Sequence, residues 1–120
     1  MIKRFFNTLV LLFVLMSTTI VLDASEQNKK YTLTYLYTNN CSYCMRFEPV
    51  YQKLFNKYNS NYSFKKLDAH SEMGAREARL YRITYVPFVV VENNESKEAI
   101  NISPSCLIRY ACVDRVLENF

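Results

Sequence analysis

Four cysteines carry most of the chemistry available to this chain. Cys41 and Cys44 stand in the stretch NNCSYCM with Ser42 and Tyr43 between them, and Cys106 and Cys112 lie near the C-terminus. A Cys-x-x-Cys pair can supply half of a tetrahedral zinc site, close a permanent bridge, or exchange electrons as a dithiol and a disulfide. Zinc needs a second knuckle, and Cys106 and Cys112 are spaced too widely for one and fall on a predicted helix. The one histidine, His70, stands in a loop without a nearby partner and reads as a solvated residue, which also disfavours copper. No metal or other cofactor is called for. Gly74 is the only glycine, so neither G-x-G-x-x-G nor a Walker loop can be written, and those routes to nucleotide binding are closed.

The choice between a bridge and redox work depends on the compartment. Lys3 and Arg4 precede an apolar run from Leu9 to Leu22, broken only by Ser17, Thr18 and Thr19, and Ala24 is a small residue at a suitable cleavage point. This reads as an export signal over residues 1–24, or as a membrane anchor using residues 5–22, with the rest of the chain in the periplasm or on the extracytoplasmic face of a membrane. A buried core helix is the weaker reading, because no charge interrupts the run to make a polar face. Outside the cytoplasm disulfides form and persist, so paired cysteines there are bridged or redox-active. The removed segment would carry Lys3, Arg4 and Asp23, leaving the mature chain at +3 of the formal +4. With no arginine-rich stripe, that mild charge argues against nucleic acid as a partner.

The elements that must position the cysteines follow from periodicity. Residues 25–30 are polar and read as a linker, and 31–120 as one domain. Tyr31 to Thr38 consists of β-branched threonine, aromatic tyrosine and leucine, the pattern of a strand buried on both faces. Phe47, Val50, Tyr51, Leu54, Phe55 and Tyr58 then recur at helical spacing, so the cysteines open a helix. A second strand ends at Asp68, and Ser71 caps a short helix. Pro87 starts an apolar strand, Phe88 to Val91, that forms a hairpin with KEAINI. Ser103 and Pro104 start a last helix that places Cys106, Tyr110, Val113, Val116, Leu117 and Phe120 on one apolar face. The order β-α-β-α-β-β-α implies an α/β fold, a mixed four-stranded sheet flanked by helices and preceded by the signal or anchor helix.

Three features together resemble the thioredoxin family across nearly all of the mature chain: Cys-x-x-Cys between first strand and helix, Pro49 five residues after Cys44, and LYRITYVPFVVV. The resemblance implies a thioredoxin-like fold and a thiol–disulfide oxidoreductase. It matches Cys41 to the nucleophile and Cys44 to the resolving cysteine. Pro87 corresponds to a proline that follows a cis peptide bond and faces the cysteines, and Val86 to the residue whose backbone pairs with a bound polypeptide. It also implies protein thiols and disulfides as substrates and a redox partner for recycling. Where family reductases carry a buried acid, a tryptophan and a Gly-Pro dipeptide, this chain has Tyr35, Asn40 and Ser42-Tyr43. Those departures point to an oxidising, isomerising or specialised reducing role rather than a general one.

The residues themselves support the same division of labour. At the helix start, Cys41 meets unpaired N–H groups and the positive dipole end, which favour its thiolate, while Cys44 is one turn on and shielded. Arg46 adds a positive charge nearby, although a surface arginine is more simply solvated. Glu48 follows Cys44 by four residues on the same face and can stand in for the missing acid, although its plainer reading is a solvated helix charge. Tyr43 and Tyr85 can rim the cysteines or serve in packing, and Thr84 to Val86 can accept an extended peptide by strand-type hydrogen bonds. On one regular helix Cys106 and Cys112 would be about 9 Å apart in rise and turned by about 120°, beyond the roughly 7 Å limit for bridged Cα atoms. Cys106 therefore reads as a small core residue and Cys112 as a partly exposed thiol. A bridge from Cys112 to a partner, or an irregular last helix with a 106–112 bond, is the second reading. The non-enzymatic alternative for the whole chain is a binding or scaffold domain in which Cys41–Cys44 is permanent.

Overall fold

A computed structural model describes residues 2–15 and 29–120. After helix α1 (Ile2–Leu15), the elements are β1 (Tyr31–Tyr37), α2 (Ser42–Tyr58), β2 (Tyr62–Asp68), α3 (Glu72–Leu80), β3 (Phe88–Asn93), β4 (Ala99–Ile102), α4 (Pro104–Leu107) and α5 (Tyr110–Asn119). The sheet order is β2-β1-β3-β4. Strands β1 and β2 run parallel through the α2 crossover, and β3 and β4 add antiparallel pairings. The mixed four-stranded sheet flanked by helices is thus the one expected.

Central β1 is buried on both faces from Leu33 to Leu36. On one face Leu33, Tyr35, Val89, Val91 and Ile102 pack against Phe47, Val50, Tyr51 and Leu54 of α2 and Val113 and Leu117 of α5. Leu36, Phe88 and Val90 on the other face meet Ala78, Tyr81 and Ile83 from α3 and the turn after it. Ser71 caps α3 as expected, its Oγ accepting the Gly74 N–H. Gly74 is buried against the Asp68 carbonyl, with no room for a Cβ, which accounts for a glycine at this position. The α3 C-terminus closes when Ile83 N–H donates to the Ala78 carbonyl and Arg82 N–H to the Arg79 carbonyl, with Arg82 in the left-handed region at φ 53°. This motif turns the chain into the segment leading to Pro87.

Two expectations fail together. The last helix is not continuous: α4 stops at Leu107, Arg109 is extended at φ −119° and ψ 107°, and α5 restarts at Tyr110. Cys106 is the core residue expected, 5% exposed, but Cys112 is not a free thiol. The two are bridged, with Cα atoms 5.4 Å apart. The rise that keeps them apart on a regular helix does not apply across a break, and the irregular last helix with a 106–112 bond, the second reading, is what forms.

At the N-terminus, the apolar run does begin as a helix. All residues from Ile2 to Phe13 are exposed, so this half of the run is not part of the core. Among the described residues no helix is long and apolar enough to cross a membrane. The remainder of the run, the expected cut at Ala24 and residues 25–28 of the linker lie outside the described residues.

Candidate active site

Cys41 is the N-cap of α2, extended at φ −110° and ψ 106°, and its sulfur accepts the Cys44 N–H at 3.0 Å. A thiol-bearing residue thus fills the place normally taken by a capping hydroxyl or carboxylate, where first-turn N–H groups lack partners. Cys41 and Cys44 are bridged, their Cα atoms 5.2 Å apart, one turn of helix placing the second sulfur back over the first. Cys44 is 3% exposed, while Cys41 is half-buried and Ser42 and Tyr43 are open to solvent. The pair therefore has one accessible member and one shielded member.

The sheet brings the second part of the site to the same end. Antiparallel pairing sets Leu36 of β1 opposite Phe88 of β3, so Pro87 enters β3 where β1 leaves toward Cys41. The Val86–Pro87 peptide is cis and Pro87 is buried. Thr84 and Tyr85 are exposed and Val86 half-buried, and among the described residues these three make no backbone hydrogen bond. Beside them a cavity of about 250 Å³ is lined by Leu36, Thr38, Ala69, Ala78, Ile83 and residues 84–86. Tyr85 is fixed by Asn101, whose amide donates to its hydroxyl at 2.8 Å. Tyr43 instead faces Arg46, the guanidinium 5.7 Å from its ring centre. Arg46 is exposed and points at an aromatic ring, with no contact to a sulfur among the described residues.

Glu48 is not the freely solvated charge that its helix position suggested. Its Oε1 accepts from the Tyr35 hydroxyl at 3.3 Å and pairs with Lys66 Nζ at 2.7 Å. The same Tyr35 hydroxyl, fully buried, reaches the Cys44 carbonyl at 3.3 Å. Burial and the Glu48 charge push the Tyr35 phenol well above its ordinary value, so it remains a neutral donor. Lys66 spans this group with its ammonium 5.0 Å from the Tyr37 ring centre and 5.9 Å from that of Tyr35. Lys66 went unnoticed in the sequence, although the signal was there. It shares the inward parity of Tyr62 and Phe64 on β2, an unusual place for a charge, and pairs in register with Tyr35.

The thioredoxin family model matches residues 18–105, most of the chain. The chain belongs to the thioredoxin family. Among solved structures, the germline-specific thioredoxin Deadhead of Drosophila melanogaster is 15% identical with a TM-score of 0.64, over 78% of this chain and 83% of that one. Fasciola hepatica thioredoxin is 18% identical at a TM-score of 0.63, over 78% and 84%. A Thermus thermophilus thioredoxin is 16% identical, also at 0.63, over 80% and 76%. No match is found among curated proteins. A thioredoxin domain with a Cys-x-x-Cys pair at the head of its first crossover helix is a thiol–disulfide oxidoreductase.

Proposed function

We propose that this thioredoxin-family chain is an exported oxidoreductase of protein thiols and disulfides, with the domain at 31–120 following a signal or anchor at 1–24 and a linker at 25–30. In the reducing direction the Cys41 thiolate attacks a substrate sulfur, the substrate leaves as one thiolate, and Cys44 then attacks Cys41 to close the bridge and release the second thiol. Oxidation of a substrate dithiol runs the same steps backwards. The observation that carries this reading is the asymmetry of the pair: Cys41 is half-buried at a helix N-cap and Cys44 is 3% exposed behind it. The helix N-terminus favours the Cys41 thiolate, and burial keeps Cys44 from external sulfurs.

Substrate binding falls to Thr84–Val86, whose free backbone groups suit an extended peptide, with Val86 and Pro87 shaping the groove and Tyr43 and Tyr85 rimming it. A separate redox partner resets the pair between turnovers. Glu48 is the acid nearest in sequence and face to Cys44, and it modulates resolution through Tyr35, whose hydroxyl contacts both. Arg46, stacked toward Tyr43, acts on the rim and not on the sulfur. The positive, apolar N-terminus and the exposed α1 support export.

The test is trapping. Cys44→Ser should accumulate a mixed disulfide between Cys41 and a peptide disulfide, while Cys41→Ser should neither trap nor turn over. Equal trapping in both variants, or a native Cys41–Cys44 bridge inert to a dithiol peptide, would overturn the reading. Fractionation of cells making the full chain tests export: recovery of the protein in the cytoplasm with residues 1–24 intact would remove it.

A further inference from the structure

The break between α4 and α5 has no breaker in the sequence. Between Cys106 and Cys112 stand Leu107, Ile108, Arg109, Tyr110 and Ala111, with neither glycine nor proline, and Leu, Arg and Ala are among the strongest helix formers. Helices are ordinarily interrupted by proline, by glycine, or by an inserted group. Arg109 nevertheless adopts an extended conformation and heads α5 without a side-chain cap. What distinguishes the joint is the bridge. Its Cα atoms are 5.4 Å apart, whereas six residues of continuous helix rise about 9 Å. A closed bridge and an unbroken helix exclude one another.

The two sulfurs are unlike. Cys106 is 5% exposed, whereas Cys112 is half-buried in the first turn of α5 with an Arg109 guanidinium nitrogen 3.8 Å from its sulfur. Both the guanidinium and the first-turn N–H groups favour a thiolate at Cys112. The joint also lies near the first pair. Strand β4 ends at Ile102 opposite Val89, two residues from Pro87, so Ser103 and α4 begin at the sheet end that holds Cys41 and Cys44. Further along, α5 is pinned: Lys57 pairs with Asp114 and Glu118, and the Tyr62 hydroxyl donates to the Leu117 carbonyl.

We propose that Cys106 and Cys112 are a second dithiol–disulfide site, whose redox state decides whether the last helix is broken or continuous. A dithiol reductant supplies the electrons. One of its thiolates attacks the accessible Cys112 sulfur and Cys106 leaves, taking a proton. The reductant's second thiol then attacks its own half of the mixed disulfide, and Cys112 leaves as the thiolate that Arg109 stabilises. Two electrons pass to the bridge and the reductant ends as a disulfide; of its two protons, one is carried by the Cys106 thiol and the other is released to solvent while Cys112 stays a thiolate. Released from the bridge, residues 104–119 join into the single helix that their sequence favours, and α4 moves because α5 is held.

The test uses the full chain, native and as Cys41→Ser/Cys44→Ser, so that its result does not depend on exchange at the first pair. Each form is equilibrated with dithiothreitol without denaturant, alkylated, and mapped by mass spectrometry, with nuclear magnetic resonance recorded in parallel. The 106–112 bridge should open while the domain remains folded. The Arg109 Cα shift should pass from extended to helical, and exchange of the Tyr110 and Ala111 amides, which as first-turn groups lack helical acceptors, should slow about tenfold or more. Cys106→Ala/Cys112→Ala should show the helical signature without reductant. A bridge that opens only on global unfolding, or one that opens with Arg109 still extended, overturns the proposal.

Discussion

Tyr35, Glu48 and Lys66 show how one departure at a residue is answered by its neighbours. At the strand position where thioredoxin-family reductases are expected to carry a buried acid, this chain has a phenol, and the carboxylate arrives from the facing helix to accept that phenol's hydrogen bond. Glu48→Gln keeps the size and an acceptor oxygen but leaves Lys66 unpaired. We expect it to slow release of the mixed disulfide by about ten- to a hundredfold while leaving attack by Cys41 within about twofold, since loss of a charge-assisted hydrogen bond is worth about 1.5–3 kcal/mol; stopped-flow measurement of the two phases separates them. A second residue-scale expectation concerns acid. Hydrogen bonds from Lys57, then from Tyr58, hold the Asp114 carboxyl below its ordinary value of 3.8. Because the folded value is the lower one, its contribution is complete above the unfolded value and is lost as pH falls through the folded one. Chemical denaturation should therefore show native and Asp114→Asn chains differing most above about pH 4 and converging below it.

Elements place these residues, and the connection between α3 and β3 is the most exacting. Gly74 lets the first turn of α3 lie on the Asp68 carbonyl, which also accepts from the Ser71 N–H and hydroxyl. Adding one methyl by Gly74→Ala forces that turn outward, and we expect a loss of about 1–3 kcal/mol in urea unfolding, typical of overpacking. At the other end Arg82 sits at φ 53°. Glycine carries no Cβ penalty there, so Arg82→Gly should raise stability by about 1 kcal/mol, read as an upward shift in midpoint. Had the α3 closure been unimportant to the site, neither change would alter peptide binding. We expect Gly74→Ala to weaken it, because Ile83, Thr84 and Val86 line the cavity that this turn leads into.

For the whole molecule, residues 2–13 of α1 lie outside the core of the sheet. Residues 2–13 are exposed throughout, so removing residues 1–13 should leave the thermal midpoint of the rest within about 2 °C, a change corresponding to well under 1 kcal/mol. A larger drop would mean that the N-terminal segment packs on the domain. Much of that domain was legible in the chain itself, because strand and helix periods are local: β1 reads as buried from its unbroken run of threonine, tyrosine and leucine, α2 from its apolar spacing, and α3 from Ser71. The Cys-x-x-Cys pair and Pro87 were legible for the same reason, each lying within a short stretch whose order along the chain carries the meaning. Three features were at most partly so. Lys66 meets Glu48 across a strand–helix gap, Gly74 meets Asp68 across a turn, and Cys106 meets Cys112 only where a strongly helical stretch is broken. Local sequence determined which segments would be strands and helices and where the reactive pair stands on them. Only the tertiary structure decided where a covalent bond or an ion pair between elements overrides local preference, because those energies depend on distances that periodicity does not contain.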